Sequence, residues 1–98
     1  MDVRRIVGAN VKKHRLAAGL SQEELALRVE IVDQGYISGL EIGKRNPTIL
    51  TVWLVANALG VEPGRLLSTE GLPSGLTSGP IKIVSRRTGR SEIDSPGQ

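Results

Sequence analysis

The chain has 98 residues, 39% of them hydrophobic, a formal charge of +3 and no cysteine. One small core is within its reach; a disulfide framework and a thiolate zinc site are excluded, and a reducing cytoplasm suits the composition. No run approaches about 18 apolar residues and no hydrophobic signal segment opens the sequence, so neither a membrane span nor Sec export is expected.

Residues 3–17 are predicted as a first helix. Val3, Val7, Val11 and His14 recur at steps of four and three, making one stripe, and Gly19 ends the segment. His14 is the only histidine and reads as a partly covered packing residue, with no second histidine to build a site. Arg4, Arg5, Lys12, Lys13 and Arg15 crowd this stretch, and Lys44 and Arg45 share a later loop. Such clusters can form a phosphate footprint even when total charge is small; the other reading is a solvated helix face.

Ser21 has the chemistry of an N-cap, and Glu24 stands three residues on as its reciprocal partner. Leu20 and Leu25 occupy the places of a hydrophobic staple. A second helix then runs to about Val29, with Leu25, Ala26 and Val29 inward. "EIVD" (30–33) follows, and Asp33 can cap a third helix over 34–41 with Tyr36, Ile37 and Leu40 inward and Gly43 as its stop. One continuous helix would place two β-branched residues and an aspartate mid-helix and waste two caps, so two helices are expected.

"GKRNPT" (43–48) is a loop: Pro47 biases Asn46 away from helix, and Thr48 can cap a fourth helix over 49–59 that Gly60 ends. Its core stripe is Ile49, Val52, Val55, Ala56 and Leu59. Val61 and Pro63 lead into a short fifth helix, 63–68, in which Leu66 and Leu67 close the core. After Ser68 the composition becomes that of a linker, "TEGLPSGLTSGP" (69–80). "IKIVS" (81–85) can form one short strand if a partner strand exists, most simply from a second subunit, and "RRTGRSEIDSPGQ" (86–98) reads as an irregular polar tail. The fold class expected is all-α: a compact four- to five-helix domain over 1–68 and a mostly irregular tail over 69–98.

"GLSQEELA" (19–26), "YISGLEIGKRNPT" (36–48) and "ALGV" (58–61), at their mutual spacing, resemble the helix-turn-helix domain of phage lambda repressor and Cro-like regulators. Within that family the pattern is most similar to small single-domain regulators such as restriction-modification controller proteins. The resemblance covers roughly residues 6–68. It implies that helices 2 and 3 form the motif, that helix 3 enters the major groove, and that two subunits pair to read a palindrome in double-stranded DNA. It also implies a structural ion pair between Arg15 and Glu41, phosphate binding being the lesser reading for Arg15.

The same resemblance assigns phosphate contacts to Gln22, at the first turn of helix 2, and to Lys44, Arg45 and Asn46 after helix 3. Tyr36 packs by its ring, and its hydroxyl can also reach a phosphate. Base-contact candidates are the exposed positions of helix 3: Gln34, which can pair with adenine, Ser38, and Gly35 and Gly39, whose use would be close backbone approach. Arg28 is a further candidate. No arginine stands on the helix 3 surface, so recognition can also draw on DNA shape. The turn departs from the family pattern: Glu30 stands near a usual glycine, and the connection is one residue longer.

Helix 4 carries a second stripe, Leu50, Trp53, Leu54 and Asn57, more apolar than a monomer needs. It is expected to centre a homodimer interface, the other possibility being a tail folded back over Trp53. No nucleophile–base arrangement, phosphate-binding glycine motif or metal-ligand cluster is present in the sequence, so an enzyme is not expected and no cofactor or metal is required. The function expected is a sequence-specific, repressor-like transcriptional regulator. The alternative is an antitoxin-like or protein-interaction module with weak DNA binding.

Overall fold

A computed structural model describes residues 1–83. α1 (Val3–Ala17), α2 (Gln22–Val29), α3 (Gln34–Glu41) and α4 (Ile49–Leu59) are followed by a 3₁₀ turn (Pro63–Leu66) and a single-turn α5 (Ser74–Thr77). All regular structure among the described residues is helical. None of these helices is long and apolar enough to cross a membrane.

Each of the first four helices starts where a side chain accepts a backbone N–H that the helix itself leaves unpaired. Asp2 accepts from Arg4, Asp33 from Tyr36 at 2.8 Å and Thr48 from Thr51 at 3.1 Å. At α2 the bond is reciprocal: Ser21 Oγ accepts from Glu24 N at 3.0 Å, and Ser21 N donates to Glu24 Oε1 at 2.7 Å. Gly60 ends α4 in the left-handed region, with φ +73°. At the end of α2 Glu30 takes φ +75° and ψ −38°, the one described non-glycine residue with positive φ. The turn between α2 and α3 thus carries strained backbone at Glu30.

The core is built from the inner faces of α1 to α4 and the 3₁₀ turn, with Val11, Leu25, Ile37, Leu40, Val55, Ala56 and Leu66 at its centre. Each of the valine, leucine and isoleucine side chains contributes about 1.5–3 kcal/mol by leaving water. α1 crosses α3 at Gly8. A Cβ there would lie 2.7 Å from the Glu41 carbonyl oxygen and closer still to that of Leu40, so only hydrogen fits. Asn10, also buried, donates its Nδ2–H groups to the carbonyls of Leu66 and Ser68 at 3.0 and 2.8 Å, tying the 3₁₀ turn to α1.

Several expectations need correction. On α1, Ile6 and Asn10 join Val7 and Val11 inside, whereas Val3 is exposed; His14 is half-buried, as expected of a partly covered histidine. Ile49, expected in the core stripe, is 79% exposed, because the buried face of α4 runs through Thr51, Val55, Ala56 and Leu59 and leaves Ile49 outside it. The fifth helix is only the 3₁₀ turn Pro63–Leu66; Leu66 is buried and Leu67 points out. Gly64 and the absence of a side-chain cap at Glu62 explain why the turn does not propagate. The linker holds α5, which composition gave no sign of. Within this one chain Met1 pairs with the segment for which a strand with a partner was expected: its amino group donates to the Pro80 carbonyl at 2.8 Å and its carbonyl accepts from Lys82 N at 2.6 Å. Val84 and Ser85 lie outside the described residues.

Candidate nucleic-acid interface

The surface formed by the start of α2, the outer side of α3 and the loop after it gathers the polar residues singled out in the sequence. Its foundation is the Arg15–Glu41 pair, buried between α1 and α3. Arg15 Nε donates to Glu41 Oε2 at 2.6 Å, Nη2 donates to Oε1 at 3.0 Å, and Nη1 donates to the Leu20 carbonyl at 2.8 Å. The bonds to Glu41 are the main cause that holds the guanidinium above its ordinary range, against the effect of burial. Its role in the free protein is thus structural: the guanidinium faces a carboxylate, not the surface.

Gln22 extends this pair outward. Its Nε2 donates to Glu41 Oε1 at 3.0 Å, and its Oε1 accepts from Gln34 Nε2 at 2.7 Å. A residue expected on phosphate and one expected on a base are therefore joined. The link between Glu41 and Gln22 was not read from the sequence, since nothing local connects positions so far apart. Gln34 and Gly35 are exposed, Tyr36, Ser38 and Gly39 half-exposed.

The loop supplies the cation that α3 lacks. Arg45 places its guanidinium 5.2 Å from the centroid of the Tyr36 ring, a cation–π distance. On the way it lies across Gly39, where an added Cβ would come 3.1 Å from Arg45 Nε. Gly39 thus makes room for a side chain of its own chain. Around Gly35 the nearest atom to an added Cβ is Asp33 Oδ1 at 3.5 Å, so this position is open. Lys44, Arg45 and Asn46 are all exposed. Gly43, at φ +82°, turns the chain into this loop against Arg5.

Other basic residues stand elsewhere. Arg4 is paired with Asp2 at 3.1 Å, and Arg28 Nη1 reaches the Ala58 carbonyl of α4 at 3.5 Å, away from α3. The crowded arginines and lysines of α1 thus do not form one footprint: Arg15 is inside, Arg4 is engaged, and Lys12 and Lys13 are exposed.

On the second face of α4, Leu50 and Trp53 are 64% and 60% exposed, Leu54 is half-buried and Asn57 exposed. Beside them lies an open, mainly apolar groove of about 340 Å³ whose lining includes Val3, Val52, Trp53, Leu67 and Ile81, with Asp2, Arg4, Asn46 and Lys82 as its polar part. The described part of the tail touches this groove and leaves Trp53 open.

The helix-turn-helix family profile matches residues 11–66. The chain is 43% identical over 76 residues to an uncharacterised HTH-type transcriptional regulator, y4dJ, of Sinorhizobium fredii, covering 76% of this chain and 97% of that protein. It is similar to the crystal structure of the restriction-modification controller protein C.AhdI from Aeromonas hydrophila. There the TM-score is 0.62 at 36% identity, over 64% of this chain and 90% of that one. A tetramer of the controller protein C.Esp1396I, solved in complex with its natural 35-base-pair operator, is likewise similar. Its TM-score is 0.60 at 36% identity, over 65% of this chain and 83% of that one.

Proposed function

This chain belongs to the helix-turn-helix family of transcriptional regulators, not to an enzyme family, and on that premise we propose that it binds double-stranded DNA sequence-specifically and represses by occupancy. In this reading α3 enters the major groove, Gln34 and Ser38 meet base edges, and the open position Gly35 allows close approach, while Gly39, expected to do the same, is covered by the Arg45 side chain. Gln22, Tyr36, Lys44, Arg45 and Asn46 hold phosphates on either side. The observations that carry it are two side-chain contacts made by the residues singled out for DNA, Gln34 with Gln22 and Arg45 with Tyr36. The similar C.Esp1396I protein on its operator supports the same class of partner.

Two copies would pair through Leu50, Trp53, Leu54 and Asn57, so that two α3 helices read a palindrome in successive grooves. The exposure of Leu50 and Trp53 beside a mainly apolar groove favours such a partner. Selection from random duplexes followed by footprinting at several salt concentrations tests the proposal. A palindromic footprint with steep salt dependence is expected. Absence of any enriched site at low salt would overturn it and favour a protein-interaction module.

A further inference from the structure

We infer that Glu41 is a positioning residue for base recognition: by fixing the amide of Gln22 it fixes the amide of Gln34. The inference rests on the DNA-binding reading above.

Both Glu41 oxygens accept hydrogen bonds from Arg15, at 2.6 and 3.0 Å. A carboxylate engaged in this way has no proton to give. Gln22 must therefore turn its Nε2 toward Glu41, where it donates at 3.0 Å. Only one sense of the amide does so, and it sends Gln22 Oε1 the other way. That oxygen can only accept, and it accepts from Gln34 Nε2 at 2.7 Å.

The sense of the Gln34 amide is set in turn. One Nε2–H is used inward; the second Nε2–H and Oε1 remain, a donor and an acceptor side by side. That pair matches N7 and the N6 amino group of adenine in the major groove. An untethered glutamine at this exposed position would have to give up its rotamer and flip freedom on binding. Here a buried ion pair orders it beforehand, through two amides, from α1 to the outer surface of α3.

The test is duplex selection with the full chain, comparing the native protein with Gln34→Ala to locate the base pair that depends on Gln34. A preference for adenine there of about tenfold or more is expected, falling to within about threefold in Glu41→Gln, whose amide can donate or accept and so lets Gln22 flip. Glu41→Gln strands the Arg15 charge in the interior and is expected to be less stable. The same measurement is therefore made on the double variant Arg15→Met/Glu41→Met, with thermal melting as the check of folding. Loss of preference at that one position, with preferences elsewhere and non-specific affinity kept, supports the inference; a merely structural role would weaken all of them together. Adenine preference kept at the native ratio in the folded double variant overturns it. Identical sites selected by the native chain and Gln34→Ala also overturn it, while any enriched palindrome would leave the DNA-binding reading standing.

Discussion

The Arg45 guanidinium lies over the Tyr36 ring at 5.2 Å, and its stem roofs Gly39. A cation is thereby delivered from the loop to a helix that has none of its own. Arg45→Ala should weaken binding to all duplexes similarly and lower the slope of log affinity against log salt by about 1. Gly39→Ala should separate fold from function. Helix propensity gains up to about 1 kcal/mol, while the new methyl displaces Arg45 and lowers DNA affinity by less than Arg45→Ala does. Paired denaturation and salt-titrated binding measurements check both; unchanged slopes in Arg45→Ala would remove this residue from the interface.

Gly8→Ala should destabilise the fold by about 3 kcal/mol, near the upper end for overpacking, because the obstructing atoms are backbone carbonyls and cannot rotate away. Urea unfolding is the measurement. A loss below about 1 kcal/mol would mean that α1 and α3 can separate at little cost.

Glu30→Gly should stabilise by about 1 kcal/mol. Glycine releases the positive-φ strain and removes an anion from the C-terminal end of α2, against its larger entropy when unfolded. A variant less stable than the native chain would show that Glu30 gains something from its conformation.

His14 is held below its ordinary value of 6.5, first by desolvation and then by the charges of Lys13 and Arg65. The unfolded chain therefore takes up this proton at a higher pH than the folded one. Stability from this group is complete above the unfolded value and is lost as pH falls through the folded one. Between about pH 7.5 and 5.5 the native Tm should fall more than that of His14→Gln. Equal falls would assign the pH dependence to other groups.

Leu54→Glu should convert a dimer to a monomer, because it sets a charge inside the apolar face that Leu50 and Trp53 continue. Sedimentation of both proteins decides: an unchanged monomer mass in each removes the proposed interface.

What the sequence made legible was local chemistry. Ser21 with Glu24, Asp33 and Thr48 are caps whose partners lie within three residues, so composition and spacing suffice to read them. Family resemblance supplied Arg15 and Glu41, whose contact spans two helices. Illegible were features that depend on what another element brings near. Gly8 looks like a propensity defect until α3 crosses it, Asn10 like a surface amide until the 3₁₀ turn offers carbonyls, and Ile49 like core until α4 turns Thr51 inward instead. At the proposed interface, residue types were readable but their couplings were not: neither the Glu41–Gln22 bond nor the Arg45 roof over Gly39 follows from order along the chain.

The hydrogen-only crossing at Gly8 has a mechanical consequence. With the carbonyls of Leu40 and Glu41 set directly against α1, and Arg15 clamped to Glu41 one turn-pair along it, α3 has no hinge of its own. It cannot tilt or slide without carrying α1 with it. On the DNA-binding reading proposed above, adjustment to different duplexes would then come from rolling the whole domain, from the side chains and loop at its surface, or from bending of the DNA itself.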